Sequence, residues 1–136
     1  MALRATLDTR FFFAYFNPAT PKQSEWCKSV VREAGRDGSL LLVSAISVAE
    51  LYEHMGRRIG EDAVTIRVAS MKAKGIWLAD VDESIASEAG RIMLSQADVP
   101  LADAIVAATA KAFAPLIYTD DPHFKQLKGI TVQWKE

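Results

Sequence analysis

Residues 40–52 read LLLVSAISVAELY, and this stretch decides how the rest of the chain is interpreted. Its first four residues, 40–43, are all apolar, which is typical of a parallel strand covered by helices on both faces. From Ile46 to about Arg58 the apolar residues recur with the spacing of one helix face. The stretch therefore predicts a strand followed directly by a helix, the repeating unit of an α/β protein.

The same alternation continues in both directions along the chain. Further strands are predicted at residues 3–7, 76–81, 114–118 and 130–134, and further helices at residues 22–34, 61–73, 83–95 and 101–113, with a short helix after Pro122. Because crossovers between parallel strands are right-handed, we predict a mostly parallel central sheet between two helical layers, a three-layer α/β/α sandwich. The last strand alternates as an edge strand would. We expect one domain over residues 1–136.

The composition fits a globular domain, since the 136 residues are 50% hydrophobic and 24% charged. Sixteen basic and 17 acidic residues give a net charge of −1, so any binding to a phosphate polymer must be local. The single cysteine, Cys27, cannot form an internal disulfide and suits a reducing compartment as a buried apolar residue. The apolar runs at residues 11–16 and 40–49 are too short for a signal-peptide core and a membrane span, respectively, so we expect a soluble cytoplasmic protein without a membrane segment.

Four acidic residues are expected at one edge of this sheet. Asp8 directly follows the first predicted strand, and Asp121 follows the fourth. Glu50 lies in the second turn of the helix after the second strand, and Asp103 opens the helix before the fourth. Because ligand sites in such sheets lie in the crevice beyond the carboxyl ends of the strands, we expect all four side chains to face one crevice.

Four carboxylates in one crevice need either protons or a counter-ion. Two like charges about 4 Å apart repel by roughly 4 kcal/mol at an effective dielectric near 20. Several such pairs would offset much of the roughly 5 to 15 kcal/mol that keeps a domain folded. Hard oxygen ligands with few imidazoles favour Mg²⁺ or Mn²⁺ over zinc. Such an ion suits the hydrolysis of a phosphodiester by a metal-activated water.

Four segments of the chain, taken together, resemble one known family. They are LDT at residues 7–9, SAISVAEL at 44–51, ADAIVAATA at 102–110 and YTDDPHF at 118–124. In this order and over nearly the whole chain, they are similar to the PIN-domain nucleases, especially the VapC-like toxin ribonucleases. The resemblance implies an α/β/α sandwich, Mg²⁺- or Mn²⁺-dependent endoribonuclease cleavage of RNA, frequent homodimerisation and inhibition by a cognate antitoxin protein.

The resemblance also assigns roles to the acidic residues. Asp8, Glu50, Asp103 and Asp121 match the acidic quartet of the family. The three aspartates would hold the principal metal directly or through water, and Glu50 would be a further ligand or would orient a water.

Two hydroxyl residues and one basic residue complete this comparison. Ser47 matches the small hydroxyl residue one helical turn before the family's glutamate, and Thr119 matches the hydroxyl residue ahead of the last acid; both would fix carboxylate rotamers. Of the adjacent acids Asp120 and Asp121, the family pattern favours Asp121. Arg10 departs from the family, which often has a small or polar residue there, and its guanidinium could contact the scissile phosphate or narrow the entrance.

Each acid also has an ordinary structural interpretation. Asp8 could end a strand in a turn, Asp121 could cap a helix ahead of Pro122, and Asp103 could be favoured by the helix dipole. Glu50 could form a salt bridge to a basic neighbour. The protein would then be a non-catalytic PIN-fold module that binds RNA or protein. An acid-pocket phosphatase or phosphoreceiver is the weaker third alternative, because the first strand ends in one aspartate without an adjacent acidic partner.

The remaining candidates are less specific. Glu53 and His54 share a helix face with Glu50, and His123 lies near Asp121, so each could reach a metal. The basic residues Arg57, Arg58, Arg67, Lys72 and Lys74 could form a positive rim for RNA, although a solvated helix face is the commoner explanation. The sequence has no H-E-x-x-H, G-x-S-x-G or Walker-type glycine motif, so zinc protease, serine hydrolase and P-loop functions lack their residues.

Overall fold

The central element is a five-stranded sheet in which all neighbouring strands are parallel. A computed structural model describes residues 2–136. The strands are β1 Arg4–Leu7, β2 Leu40–Ser44, β3 Trp77–Ala79, β4 Leu116–Tyr118 and β5 Thr131–Gln133. Their order in the sheet is β3-β2-β1-β4-β5, which confirms both the parallel sheet and the prediction that the last strand lies at an edge.

Six α-helices connect and cover the strands. They are α1 Thr9–Phe16, α2 Pro21–Arg32, α3 Ala45–Ile59, α4 Glu61–Ala73, α5 Glu83–Ser95 and α6 Leu101–Phe113. Short 3-10 helices follow at Glu33–Gly35 and Pro122–Gln126. Helices α2 to α6 lie where the sequence predicts helices, but α1 was not predicted, because the apolar run at residues 11–16 carries no clear helical signal.

The helices form two layers, one on each face of the sheet. One core joins buried residues of α1 to α4 to the sheet, including Phe11, Cys27 and Leu51. A second core joins α5 and α6 to the other face around Ile92 and Phe124. This arrangement confirms the three-layer α/β/α sandwich. The predicted burial of Cys27 is also found.

The alanine-rich helix α6 packs against the middle of the sheet. Its residues from Ala104 to Ala110 are all buried, and it contacts β1, β2 and β4. The small side chains let the helix axis approach the strands. Asp103, in the first turn of α6, therefore lies close to the carboxyl ends of the strands. No helix among residues 2–136 combines the length and apolar character needed to span a membrane.

The direction in which successive strands are added to the sheet reverses between β1 and β4. From β1 the chain proceeds to β2 and β3 on one side, and later returns to place β4 on the other side. The last residues of these two strands, Leu7 and Tyr118, are paired, and the Asp8 N–H donates to the Tyr118 carbonyl over 3.3 Å. Such a switch point opens a crevice beyond the carboxyl ends of the strands.

Candidate metal centre

Asp8 and Thr119 lie side by side at the switch point. The Asp8 side chain is buried, with 3% of the residue exposed, and Thr119 is fully buried. The Thr119 hydroxyl donates to Asp8 Oδ2 over 2.7 Å and accepts from the Asp121 N–H over 3.0 Å. The Thr119 hydroxyl therefore holds both the Asp8 carboxylate and the backbone of Asp121 in place.

Burial makes the Asp8 carboxylate unusually basic. Desolvation raises its pKa from 3.8 to about 6, and the negative charges of Glu50 and Asp121 add to this effect. Hydrogen bonds from the Thr119 hydroxyl and the Thr9 N–H oppose it. Since a buried carboxylate is stabilised by a cation as well as by a proton, Asp8 has the properties of a metal ligand.

Three further side chains converge beside Asp8. His123 Nδ1 lies 2.7 Å from Asp121 Oδ1 and 3.1 Å from Asp103 Oδ2. One potential ligand atom from each of these residues lies within 4.8 Å of the other two. Burial raises the pKa of Asp103 to about 7; the charges of Asp121 and Asp8 act in the same direction, and His123 acts against them.

Asp121 also makes the capping contact expected from its place before Pro122. Its Oδ1 accepts from the His123 N–H over 2.9 Å at the start of the 3-10 helix. This cap turns the His123 ring towards the carboxylates, so the structural and metal-binding interpretations of Asp121 are compatible. His123 had only a minor place among the sequence candidates, and its position two residues after a capping aspartate is the signal that identifies it.

Glu50 faces the same crevice from α3. Its Oε1 accepts from the Thr9 hydroxyl over 2.6 Å, and its charge contributes to the raised pKa of Asp8. Among residues 2–136 no side-chain nitrogen of a lysine, arginine or histidine lies within 4.0 Å of the Glu50 carboxylate oxygens, so the salt-bridge interpretation is wrong. We define Asp8, Glu50, Asp103 and Asp121 as the acidic cluster.

The hydroxyl groups around the acidic cluster differ from expectation at one position. Ser47 is fully buried, and its Oγ has no hydrogen-bond partner among the described residues. The hydroxyl that contacts Glu50 is that of Thr9, which begins α1 directly after Asp8, so the role suggested for Ser47 stays a prediction. Nothing in the local sequence pattern singles out Thr9 beyond its place in the LDT segment.

The adjacent acids Asp120 and Asp121 face different partners. The Arg10 guanidinium is hydrogen-bonded to both Asp120 oxygens, with Nη2 3.3 Å from Oδ2. Asp120 raises the pKa of Arg10. Asp121, in contrast, lies against His123 in the crevice. The geometry therefore favours Asp121 over Asp120 as a ligand, while a phosphate contact by Arg10 stays a prediction.

The donor set fits a hard divalent cation. Carboxylates predominate, two of them have raised pKa values, and the one nearby imidazole has a buried Nδ1 that makes no hydrogen bond of ordinary geometry within residues 2–136. Mg²⁺ and Mn²⁺ prefer oxygen-rich sites of this kind. His54, by contrast, lies against Glu53 and the Phe13 ring. The group of ligand atoms within 4.8 Å of one another comprises Asp103, Asp121 and His123 among the described residues; Asp8 and Glu50 lie beside this group, in contact with Thr119 and Thr9.

The fold and the site together define an α/β/α sandwich protein with acidic residues gathered at the switch point of a parallel sheet. The sequence model of the PIN domain matches residues 5–130 of this chain. The chain therefore belongs to the PIN domain family. No curated protein sequence matches it significantly.

Solved structures resemble this one over nearly its full length. A chain of the VapBC2 complex from Rickettsia felis, bound to a promoter DNA fragment, has 12% identity and a TM-score of 0.77, covering 98% of this chain and 100% of that chain. DNA-bound VapBC from Salmonella typhimurium has 19% identity and a TM-score of 0.74, with coverage of 97% and 98%. VapC20 from Mycobacterium tuberculosis, a toxin that cleaves the sarcin-ricin loop, has 19% identity and a TM-score of 0.68, with coverage of 93% and 98%. At these identities the likeness establishes the fold.

Proposed function

We propose that this protein is a metal-dependent endoribonuclease that hydrolyses RNA phosphodiester bonds. The observation that supports the proposal most directly is the acidic cluster at the switch point of a PIN domain, where Asp103, Asp121 and His123 offer converging ligand atoms. Gathering one buried and three half-buried carboxylates without a cation costs free energy, which the raised pKa values of Asp8 and Asp103 reflect. A purely structural role gives no reason for this cost.

The residues of the acidic cluster have different proposed roles. Asp8, Asp103 and Asp121 hold Mg²⁺ or Mn²⁺, and His123 is available as an additional ligand. Glu50 is a further ligand or orients the attacking water. When bound, such an ion lowers the pKa of a coordinated water and neutralises charge that develops on the phosphate.

Two threonines support the proposed ligands. Thr119 holds Asp8, and Thr9 holds Glu50, through short hydrogen bonds from their hydroxyl groups. Groups that orient metal ligands in this way usually affect metal affinity strongly. Ser47 remains a candidate for the same role, since its buried hydroxyl is free to contact a metal-bound water.

We further propose that the nuclease is the toxin of a toxin-antitoxin pair. The structural neighbours include complexes named VapBC and a toxin described as cleaving the sarcin-ricin loop. A cognate antitoxin protein is therefore expected, and a homodimeric state is implied by the resemblance to the family alone. Co-purification with the product of an adjacent short reading frame would test the first expectation, and sedimentation of the purified chain would test the second.

The central test is cleavage by the Asp8→Asn variant. With Mn²⁺ or Mg²⁺ the wild type should cleave RNA, and chelation should stop it. Asp8→Asn should lose activity about 100-fold or more, since even residues that only orient ligands contribute about 10- to 100-fold. Gel analysis of labelled RNA fragments measures both.

A matched control is Asp80→Asn. Asp80 also follows a strand, but β3 lies at the sheet edge and Asp80 is exposed. It should cleave like the wild type. If Asp8→Asn, folded by circular dichroism, cleaves like Asp80→Asn, Asp8 has no part in the mechanism. If the wild type binds RNA with no metal-dependent cleavage, the protein is a binding module.

A further inference from the structure

A second concave region adjoins the acidic cluster. It is a cavity of about 650 Å³ between α1, α3 and α4, close to Trp134 near the end of the chain. We call it the basic cavity and define it by Arg10, Phe13, Phe16, His54, Arg58 and Arg67. Its volume lies within the range of about 300–1,000 Å³ that is common for ligand sites.

The lining of the basic cavity is strongly positive. Three arginines contribute to it, and Asp120 is its one acidic residue among those that the structure describes. Arg10 is bound to Asp120. Arg58 and Arg67 have no carboxylate within 4.0 Å in residues 2–136. In a chain with a net charge of −1, this is a local positive field that attracts anions.

The cavity also presents aromatic surface. The Arg67 guanidinium lies 4.6 Å from the centre of the Phe16 ring, and its Nη1 contacts Met55 Sδ at 3.6 Å. The Phe13 ring meets His54 edge to face at 5.3 Å. Guanidinium groups bind phosphate, and ring faces stack on nucleobases whatever their identity. The lining therefore matches the two chemical parts of a nucleotide.

The position of the cavity connects it to the acidic cluster. Arg10 follows Asp8 by two residues in α1, and Asp120 directly precedes Asp121. These two residues, hydrogen-bonded to each other, line the cavity on the side of the crevice. A polymer with its scissile bond at the acidic cluster would therefore place a neighbouring unit in the cavity.

We propose that the basic cavity binds a nucleotide of single-stranded RNA next to the cleaved bond, with its phosphate at Arg58 and Arg67. The proposal rests on the function proposed above. An acidic peptide would also be attracted by the arginines, but RNA is favoured because the cavity continues from a site with the chemistry of phosphodiester hydrolysis. Of the five basic residues that the sequence suggested as an RNA rim, Arg58 and Arg67 line the cavity, whereas Arg57, Lys72 and Lys74 do not.

The test is the affinity of a fluorescein-labelled single-stranded RNA for variants in the Asp8→Asn background with Mg²⁺, measured by anisotropy. Arg58→Gln should raise the Kd about tenfold. In the Arg58→Gln/Arg67→Gln double variant, the negative slope of log K against log salt should decrease in magnitude by about 1.4, because each phosphate contact to a single strand contributes about −0.7. The control is Arg57→Gln, the exposed neighbour on the same helix outside the cavity, which should change the Kd less than twofold.

The possible outcomes separate the two proposals. If Arg58→Gln and Arg57→Gln bind RNA equally well while the wild type still cleaves, the cavity proposal is wrong and the nuclease proposal stands. If binding depends on Arg58 but the wild type never cleaves, the cavity binds RNA and the nuclease proposal is wrong. Stronger binding of an oligo-glutamate peptide than of RNA at Arg58 would assign the cavity to a protein partner. Because Arg67 packs on Phe16, Arg58→Gln alone decides the matter if the double variant is unfolded.

Discussion

The acidic cluster and the basic cavity are neighbours with opposite physical character. In the acidic cluster Asp8 is buried and the other three acids are half-buried. The cluster is assembled from the residue after β1, from α3 and α6, and from the segment after β4. The basic cavity is open and is lined by the exposed arginines Arg10 and Arg58 together with the partly buried Arg67. Buried like charges destabilise a fold, whereas exposed charges cost little. Burial therefore indicates function in the first region, while in the second only the shape of the surface distinguishes the arginines from ordinary solvated residues.

The largest predicted difference between the regions is in metal-free stability. At pH 8 in EDTA, Asp8→Asn should raise the free energy of unfolding by about 1–3 kcal/mol, since a pKa raised from 3.8 to about 6 corresponds to at most about 3 kcal/mol. Arg58→Gln should change it by less than about 0.5 kcal/mol. Urea unfolding followed by circular dichroism measures both.

The pH dependence of this effect has a definite sign. Because folding raises the pKa of Asp8 to about 6 and that of Asp103 to about 7, the folded state holds protons that the unfolded state has already released. The wild type should therefore lose stability relative to Asp8→Asn as pH rises from about 4 to 6, the interval between the two pKa values of Asp8. A destabilised Asp8→Asn at pH 8 would mean that Asp8 anchors the fold instead of straining it.

The sequence could predict most of the fold and of the acidic cluster for this physical reason. Helices α4, α5 and α6 have the predicted bounds. Glycine or proline residues mark breaks around α4 and before α6, and α5 repeats its apolar residues with a helical period. The position of the four acids could be predicted because the carboxyl ends of parallel strands lie on the same side of the sheet. Helix α1 could not be predicted, since only Asp8 separates it from β1 and its short run is apolar on most sides.

Other features depend on tertiary packing that local pattern does not encode. The Arg10–Asp120 pair joins residues 110 positions apart. Thr9 reaches Glu50 across 41 positions. The basic cavity exists because α1, α3 and α4 pack around a gap, and exposed arginines on any of these helices look alike in the sequence.

An intermediate effect is expected for Thr119→Val. The loss of the hydroxyl removes the hydrogen bonds to Asp8 Oδ2 and from the Asp121 N–H. Stability should fall by about 1–2 kcal/mol, and the affinity for Mn²⁺ should fall about 10- to 100-fold. Isothermal titration calorimetry measures the affinity.

The matched control is Thr109→Val. Thr109 is equally buried, and its hydroxyl donates to the Ile105 carbonyl within α6 over 2.8 Å. It should lose similar stability with no change in Mn²⁺ affinity. Equal metal affinities for the two valine variants would show that Thr119 is only a core residue and that the acidic cluster needs no supporting hydroxyl.

The smallest predicted effect is that of Asp120→Asn, a substitution between the acidic cluster and the basic cavity. The Arg10–Asp120 pair is partly exposed, with 51% and 35% of the side chains accessible, so Asp120→Asn should change stability by less than about 1 kcal/mol. Mn²⁺ affinity should stay within about twofold, because Asp120 faces Arg10 and not His123. The variant also frees Arg10, which makes the basic cavity more positive, so RNA affinity should rise modestly.

Asp121→Asn is the comparison that gives this small effect its meaning. The two aspartates are adjacent in the sequence but differ in burial and in their partners. A large loss of Mn²⁺ affinity in Asp121→Asn alone would show that the metal site includes Asp121 and ends before Asp120. The opposite result, with Asp120→Asn losing metal and Asp121→Asn keeping it, would require Arg10 to release Asp120 when the metal binds. Calorimetric titration of both variants with Mn²⁺ decides between these assignments, because the direction of the difference is opposite in the two cases.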